Sequence, residues 1–405
     1  MPRYDLLKGV RVLEMAVALA GPFGSQVLAD LGAEVIKIEP PGVGDINRDN
    51  VPRIKNDGYY FLALNRNKKS VTLDLQTPAG KRAFLDLVKV SDVVYDSMRA
   101  KAREHLGITY EQLKTVNPSI ICCSITGFGS EGPYKDRPAF DDVIQAMSGI
   151  SSLTIDNNGN PVRTGVSSTD ISAAMFSVIG VISALYKRKE TGKGMEVNVS
   201  LFDASMALIP QMFQYYFITG TPPPCRGSKH AAIATFGFFR TRDGYIALGP
   251  CWPRIARVIN REELIYDPRF SEPDARSLHR DELNAEIEKA FGQADTEDWM
   301  NILILEDIPA GPVRNLPQVE ADPQAQHMIR RISDPARGEI KVIDCPLRTS
   351  ASVEENHSPP PLLGQHTDEL LKELLKYSDE EIAQIKRESE EHVEELIYKS
   401  VRRRK

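Results

Sequence analysis

The chain has 405 residues, of which 41% are hydrophobic and 26% are charged, as is typical of globular proteins. Its length favours two or three domains, and its composition excludes a chain that is disordered, collagenous or coiled-coil throughout. The 50 Lys and Arg residues against 56 Asp and Glu residues give a net charge of −6, which excludes a general attraction to nucleic acid or to an anionic membrane.

The first half of the chain alternates strand and helix patterns. The predicted strands are Val10–Glu14, Glu34–Glu39, Val71–Leu75, Asp92–Tyr95, Ile120–Ile125 and Glu196–Val199. The helices predicted between them begin at helix-start signals such as Thr77-Pro78 and the Thr109/Gln112 pair. This alternation predicts an α/β fold with a Rossmann-like, doubly wound and mainly parallel sheet.

A long apolar helix is predicted from Asp170 to Lys189, ending in basic residues and Gly192. The residues that mark one of its faces are Ile171, Met175, Val178, Ile182 and Leu185. Because Ala, Val and Ile cover most of the remaining surface, we expect this helix to be buried.

The composition changes at Thr219–Gly227, a proline-rich segment that is typical of an inter-domain linker. Beyond it, hydrophobic residues alternate around Arg242–Gly244, which predicts a hairpin. Helices are predicted at about Ser277–Phe291 and Glu297–Glu306. The second region is therefore expected to be smaller and of α+β character.

The five cysteines form no CxxC pair, and the seven histidines form no HxxxH pair. We therefore expect reduced thiols, no metal site and a cytoplasmic protein. The apolar segment Val10–Leu31 loosely resembles a signal peptide, but charged residues interrupt it. No uninterrupted apolar run of about 18 residues occurs, so no transmembrane helix is expected.

Two glycine-containing turns follow predicted strands and weakly suggest a dinucleotide site. In the first turn, Leu19–Gly24, Leu replaces the first glycine of the dinucleotide-binding motif GxGxxG. The second turn, Gly127–Gly132, matches all three glycines, but prolines follow it where the motif requires a helix. Ordinary turn glycines are the alternative. No GxSxG nucleophile motif is present.

Ser168, Thr169 and Asp170 open the long helix, and all three residue types are common helix caps. A carboxylate in the first turn is also stabilised by the helix dipole, so Asp170 would stay ionised when partly buried. That property suits a nucleophile. The residues alone leave both roles open.

Two basic groups lie beside predicted strand ends, where open α/β sheets bind ligands. Their members are Arg66, Lys68 and Lys69, and Arg99, Lys101 and Arg103. They could hold phosphates, and a solvated surface is the alternative.

Seven motifs in order resemble CoA-transferase family III, the group that includes formyl-CoA and carnitine CoA-transferases and shares its fold with α-methylacyl-CoA racemases. The matching segments are Leu7–Glu14, Ala20–Gly24, Leu28–Asp45, Asn65–Leu75, Ile125–Gly149, Lys187–Gly194 and Pro360–Glu369. The resemblance implies an interlocked homodimer whose large domain contains both termini and carries an inserted smaller domain. The implied layout is a large domain at 1–218, a linker at 219–227, the small α+β domain at 228–322, and a return to the large domain at 323–405.

The resemblance also implies a reaction, in which Asp170 attacks an acyl-CoA thioester and forms an acyl-aspartyl anhydride. An aspartyl-CoA thioester follows, and a carboxylic acid acceptor finally takes the CoA. The CoA thioester is a substrate, and no permanently bound cofactor is implied. Backbone N–H groups near Leu19 and Ala20 are expected to stabilise the oxyanions.

The acyl site implied by the resemblance contains Tyr60, Phe140 and Asp141, with a supporting role for Asp141. Related racemases have His at the place of Phe140, and Phe cannot exchange a proton, which favours the transferase. A racemase, an NAD-linked oxidoreductase and a CoA-binding protein without turnover are the alternatives.

The residues implied to contact CoA are Leu19, Ala20, Leu73, Leu75, Gln76, Ser97, Met98, Arg99, His105 and Arg137. Ser97-Met98 and His105 depart from the family pattern of an Asn-aromatic pair and a later Arg or Lys. Arg99, Lys101 or Arg103 could compensate for the weaker phosphate ligand His105. Arg48, Arg53 and Lys55 could meet a second carboxylate on a dicarboxylic acceptor, although charged loop residues are usually solvated.

Overall fold

The computed structural model describes residues 4–156, 158–225, 227–230, 233–350 and 357–403, with side chains up to residue 395 in the last range. The strands in this part of the chain are β1 (Arg11–Met15), β2 (Glu34–Glu39), β3 (Arg53–Ile54), β4 (Asp57–Gly58), β5 (Lys68–Thr72), β6 (Val93–Asp96), β7 (Ile121–Thr126), β8 (Glu196–Ser200), β9 (Gly237–Arg240), β10 (Tyr245–Leu248), β11 (Ala310–Pro312), β12 (Ile329–Asp334) and β13 (Gly338–Ile343). The helices in the first half are α1 (Ala20–Asp30), α2 (Tyr59–Leu64), α3 (Pro78–Lys89), α4 (Ala100–Leu106), α5 (Tyr110–Val116), α6 (Asp141–Met147), α7 (Ser168–Thr191) and α8 (Leu201–Ala207). Those in the second half are α9 (Pro210–Thr219), α10 (Arg254–Val258), α11 (Pro273–Leu278), α12 (Arg280–Phe291), α13 (Thr296–Leu305), α14 (Leu316–Glu320), α15 (Thr367–Leu375) and α16 (Asp379–Arg403).

The chain divides into two compact units. The larger unit contains residues 1–150, 164–210 and 328–405, and the smaller unit contains residues 151–163 and 211–327. The smaller unit therefore includes α9, which ends where the predicted linker 219–227 begins. One residue of that linker, Arg226, lies outside the described part of the chain.

The larger unit is built on a six-stranded sheet in the order β5-β2-β1-β6-β7-β8. All five pairings between neighbours are parallel, which confirms the predicted α/β fold and parallel sheet. The chain moves from β1 to β2 and β5 on one side and then returns to add β6, β7 and β8 on the other. The direction of strand addition therefore reverses between β1 and β6.

Helices cover both faces of this sheet, so its strands are hydrophobic on both sides. Val12 of β1 joins a core made with α1 and α7. Its neighbour Leu13 points to the opposite face and joins a core made with α3, α15 and α16.

Two predicted helix starts are confirmed by side-chain contacts. The Thr77 hydroxyl accepts from Gly80 N–H at 3.2 Å, with Pro78 in the first turn of α3. Thr109 and Gln112 form the predicted reciprocal capping box at the start of α5. The third predicted strand, Val71–Leu75, lies three residues too late in the chain. The observed strand β5 begins at the buried Lys68 and ends at Thr72.

The prediction that α7 is buried is only half right. Val178 and Leu185 are buried, whereas Met175 and Ile182 of the same predicted face are exposed together with Ile179. Among the described helices, α7 is the one with the length and apolar composition to cross a membrane, but half of its most apolar window is packed inside the protein. Core helices of soluble proteins share these properties.

The smaller unit has an antiparallel sheet in the order β11-β10-β9 and a hydrophobic core of its own. Strands β9 and β10 pair around Arg242–Gly244, which confirms the predicted hairpin.

Candidate active site

A cavity of about 320 Å³ lies at the carboxyl ends of β1, β6 and β7, where the strand order reverses. Ligands of open α/β sheets bind at such a reversal, because the loops on either side diverge and leave a crevice. The residues that line it are Val17, Ala18, Ala20, Ser97, Arg99, Ile125, Thr126, Gly127, Lys135, Arg137, Pro138, Ala139, Phe140, Asp170 and Leu201.

Asp170 reaches this cavity from the first turn of α7. The N-terminal end of a helix carries partial positive charge and N–H groups without intrahelical acceptors, and both favour an ionised carboxylate. Phe140, which precedes α6, lines the same cavity, and 69% of its side chain is exposed. The structure thus brings the predicted nucleophile and this aromatic residue to one site.

A buried carboxylate from α6 holds the start of α7. The backbone N–H and hydroxyl of Thr169 donate to Asp141 Oδ1 at 3.1 and 2.7 Å. Gln145 Nε2 donates to Asp141 Oδ2 at 2.6 Å, and Gln145 Oε1 accepts from Thr164 N–H at 2.9 Å. Asp141 therefore fixes the residue that immediately precedes Asp170 and the loop that leads into α7.

Close backbone packing explains two glycines at the start of α1. A Cβ added at Gly21 would lie 2.2 Å from Ala16 Cβ, and one at Gly24 would lie 2.1 Å from Tyr95 Oη. Only glycine lets α1 approach the sheet this closely. Val17 N–H donates to Ser97 Oγ at 3.1 Å, which joins the loops on either side of the cavity.

Three cationic side chains, Arg99, Lys135 and Arg137, contribute to the wall of the cavity. All three are exposed, and the Arg137 guanidinium lies 3.9 Å from the centre of the Tyr134 ring. Such a group can bind phosphate oxygens locally although the protein is acidic overall. Lys135 was not among the predicted residues, and its position in a turn-rich loop gave no signal for it.

The other predicted residues lie outside the cavity wall. Those residues are Asp141, described above, and Leu19, Tyr60, Leu73, Leu75, Gln76, Met98 and His105. Leu73 is buried and packs with Leu75 and Met98 in a hydrophobic core, whereas Gln76 and His105 are exposed. The Tyr60 ring packs edge-on against Tyr59, with the ring centres 4.7 Å apart.

The first predicted basic group does not form a ligand site. Arg66 is buried against Asp30, and Lys68 is buried 2.9 Å from Glu14. These contacts leave both side chains without surface for a phosphate, so the prediction of a phosphate site is wrong. The alternative of a solvated surface is equally wrong for Arg66 and Lys68.

Two further predictions about basic residues are wrong for the same reason. Arg48 is buried between Glu39 and Asp57, at 2.8 and 2.6 Å, and so cannot meet an acceptor carboxylate. Arg103 is buried 3.3 Å from Asp96 and cannot compensate for His105 in phosphate binding.

The described residues contain no group of three or more His, Cys, Asp or Glu side chains that could hold a metal ion. All five cysteines are free thiols. Burial raises the pKa of the Cys251 thiol to about 11, so it is protonated at neutral pH.

Comparisons with known proteins match nearly the whole chain. The model of CoA-transferase family III matches residues 7–367. The chain is 34% identical over 380 residues to the succinyl-CoA:glutarate CoA-transferase of Mus musculus, covering 92% of this chain and 87% of that protein. It is 36% identical over 324 residues to the acetyl-CoA:oxalate CoA-transferase of Acetobacter aceti, covering 77% and 83%.

The fold is also similar to that of solved structures. The crystal structure of a CAIB/BAIF family protein from Brucella suis superimposes with a TM-score of 0.81 at 34% sequence identity. The match covers 92% of this chain and 100% of that one.

Proposed function

The chain belongs to CoA-transferase family III and is a transferase, and from that premise we propose that it moves CoA from an acyl-CoA thioester to a free carboxylic acid on the side chain of Asp170. The observation that carries this proposal is the position of Asp170. Its carboxylate lines a cavity at the sheet reversal and shares that cavity with three cationic side chains. A nucleophile and a binding site for phosphates are thereby available at one place.

In the first half of the proposed reaction, the Asp170 carboxylate attacks the carbonyl carbon of the donor thioester. The carbon–sulfur bond breaks, and the CoA thiolate leaves with its electron pair. The thiolate then attacks the Asp170 carbonyl carbon of the anhydride. The donor acid leaves as a carboxylate, and an aspartyl-CoA thioester remains.

In the second half, the acceptor carboxylate attacks the aspartyl-CoA thioester and again displaces the thiolate. The thiolate then attacks the acceptor carbonyl carbon of the second anhydride, which forms the new thioester and restores the Asp170 carboxylate. In each step an anionic nucleophile, carboxylate or thiolate, replaces an anionic leaving group. The cycle therefore balances without an external acid, oxidant or water. Water must be excluded, because it would hydrolyse both intermediates.

Backbone N–H groups at the start of α1 are suited to stabilise the oxyanion of each step. Ala20 begins α1 and lines the cavity, and N–H groups in a first helical turn have no acceptor within the helix. Preorganised donors of this kind are the usual source of such stabilisation. We assign this role to the N–H group of Ala20, which lines the cavity, together with that of Leu19, the residue before it in the chain.

Phe140 weighs against racemisation within the same family. Racemisation needs an acid and a base on opposite faces of the α-carbon, and the Phe140 ring cannot take either part. If the protein epimerised a 2-methylacyl-CoA, the chain would have to be assigned as a racemase instead of a transferase.

The acceptor is proposed to be a dicarboxylic acid, because relatives are named for glutarate and oxalate. Arg53 and Lys55 are exposed and remain candidates for its second carboxylate. For CoA itself, we assign Arg99 and Arg137 to the phosphates, together with Lys135. We further propose a cytoplasmic homodimer that needs no permanently bound cofactor.

The test is CoA exchange between succinyl-CoA and a panel of mono- and dicarboxylic acids, followed by liquid chromatography. Hydroxylamine added during turnover should trap the aspartyl thioester as a hydroxamate on Asp170, detectable by peptide mass spectrometry. Asp170→Asn should lower the exchange rate by about 10³-fold or more, as loss of a nucleophile does in other enzymes.

Asp142→Asn is the matched control, because Asp142 is an exposed carboxylate in the first turn of α6 that does not line the cavity. It should keep wild-type exchange. Full exchange by a folded Asp170→Asn protein would refute the covalent mechanism.

A further inference from the structure

Two buried lysines hold the backbone at one wall of the cavity. Lys37 Nζ donates to the carbonyl of Ala16 at 2.8 Å, and Lys68 Nζ donates to the carbonyl of Pro22 at 2.9 Å. These carbonyls flank the turn between β1 and α1, which lines the cavity with Val17, Ala18 and Ala20. Both lysines are buried, and neither lines the cavity.

Both ammonium groups lie among buried oxygen atoms, and both form an ion pair with Glu14. Glu14 lies between them, with one oxygen 2.9 Å from each Nζ. Lys37 also lies 2.8 Å from Asp45, and Lys68 also donates to Asn65 at 2.9 Å. Each Nζ therefore donates to one backbone carbonyl, at the turn or in α1, and also lies beside the Glu14 carboxylate.

The turn is also strained. Ala18 has a φ of +65°, in the left-handed region that is unfavourable for a residue with a side chain. Asn47 Nδ2 donates to the Ala18 carbonyl and helps to hold this conformation. A strained backbone at the rim of a site persists only where its surroundings fix it, and the surroundings here are buried polar side chains.

We propose that Lys68 is a positioning residue for CoA transfer, because its contact with Pro22 fixes the first-turn N–H groups of α1 against the reacting carbonyl. The inference rests on the proposed function, in which the N–H groups of Leu19 and Ala20 stabilise the oxyanion. The Lys68 side chain itself is completely buried and does not line the cavity. Its effect passes through the backbone of α1.

Protonation of Lys68 makes this role dependent on pH. Burial lowers the pKa of the Lys68 ammonium to about 8, against the opposing effect of Glu14. The charged groups that face it are Glu14 from β1, Lys37 from β2 and Asp45 from the loop after β2. As the pH rises through about 8, Lys68 loses a proton and its charge, so its contacts with Glu14 and with the Pro22 carbonyl weaken.

The experiment compares wild-type protein with Lys68→Met in two measurements. The first is kcat at saturating donor and acceptor between pH 6.5 and 9.5. The second is amide hydrogen exchange of the segment 16–22, read by mass spectrometry. We expect Lys68→Met to lower kcat by about 10- to 100-fold at pH 7, the usual cost of a misplaced transition-state donor.

The same variant should change the KM for the acyl-CoA by less than about threefold, because the lysine holds donors used mainly in the transition state. We expect the wild-type kcat to fall above about pH 8, and the variant should remove this fall and accelerate exchange in the segment 16–22.

Lys69→Met is the matched control. Lys69 is the next residue of β5 and pairs with Glu34 at 2.9 Å, so its loss removes a Lys–Glu pair without touching α1. It should keep the wild-type kcat, pH profile and exchange. Should Lys68→Met fold poorly, Glu14→Gln/Lys68→Met removes both members of the pair, and the same results are expected.

The outcomes separate the two proposals. A wild-type protein that transfers CoA to no acid refutes the proposed function, while hydrogen exchange still reports whether Lys68 fixes the segment. If a folded Lys68 variant keeps both the wild-type kcat and its pH profile, or leaves exchange in segment 16–22 unchanged, the positioning role is overturned.

Discussion

Two buried polar side chains near the site, Asp141 and Lys68, contact backbone segments and do not line the cavity. Asp141 holds the N–H of Thr169, one residue before Asp170, and Lys68 holds a carbonyl in α1. Losing such a buried contact leaves a polar group without a partner, which costs about 1–3 kcal/mol. The same loss moves the attached backbone and with it the reacting groups.

Asp141→Asn should therefore lower kcat and leave the binding of the acyl-CoA donor nearly unchanged. The amide keeps the volume of the carboxylate, but its nitrogen can accept no hydrogen bond, so a donor from Thr169 or Gln145 loses its acceptor. We expect a fall in kcat of about 10- to 100-fold with a nearly unchanged KM for the donor, since small displacements of a nucleophile have effects of this size. Steady-state CoA exchange measures both constants.

The control for this change is again Asp142→Asn, which makes the same substitution one residue further along α6. Equal kcat values for the two variants, at equal folded fractions, would show that Asp141 does not position Asp170.

Residue positions in the cavity were predictable from the sequence only where a motif carries them. The order of motifs singled out Asp170 and Phe140, which share the cavity. Lys68 was misjudged because long charged side chains are almost always exposed, and sequence does not show that Glu14 and Lys68 meet on neighbouring buried strands. Burial and pairing of charges depend on tertiary structure.

At the level of elements, periodicity predicted the sheet and most helices, and its errors have physical causes. Strand β5 starts earlier than predicted because its first residue, Lys68, is buried by pairing rather than by hydrophobicity. The exposure of one side of α7 was not predictable, because an apolar surface in the sequence does not show whether the same chain covers it. An apolar helix surface can be buried in the core of its own chain or against a partner protein, and the sequence does not distinguish the two.

The contact between α16 and α3 gives a prediction for an element outside the family match, which ends at residue 367. Glu388 Oε2 accepts from Ala79 N–H at 2.8 Å, in the first turn of α3. Glu388→Ala should lower the free energy of unfolding by about 1 kcal/mol, the usual cost of losing an N-terminal cap. Urea unfolding followed by circular dichroism measures this change.

Glu390→Ala is the comparison for that variant, because Glu390 is exposed on the same helix. Its unfolding midpoint should match the wild type. If the two variants unfold at the same urea concentration, the cap from α16 contributes nothing measurable to stability.

At the level of the whole molecule, the fold excludes fewer classes of enzyme than the residues of the cavity do. The strand order with its reversal between β1 and β6 also occurs in dinucleotide-binding proteins, so the sheet alone does not distinguish a transferase from an oxidoreductase. The distinction rests on Asp170 in the cavity and on the family match over residues 7–367.

The exposed apolar side of α7 supports the proposed homodimer. The large hydrophobic residues on this side are Met175, Phe176, Ile179, Ile182 and Tyr186. Monomeric proteins rarely leave so continuous an apolar surface in water, because its burial is favourable by about 25 cal/mol per Å². We therefore expect the 45.1 kDa chain to form a dimer, which light scattering after size-exclusion chromatography measures directly.

Ile179→Glu should raise the monomer fraction on dilution, because the new carboxylate would have to be buried without a partner in the dimer. Lys187→Glu is the control, because it introduces the same side chain at an exposed position of α7 outside this apolar set. The substitution removes the ion pair between Lys187 and Glu190, which is exposed and contributes little to stability. This control should dimerise like the wild type. A wild-type protein with the mass of one chain at every concentration would contradict the dimer, and equal dissociation of both variants would place the interface elsewhere than on α7.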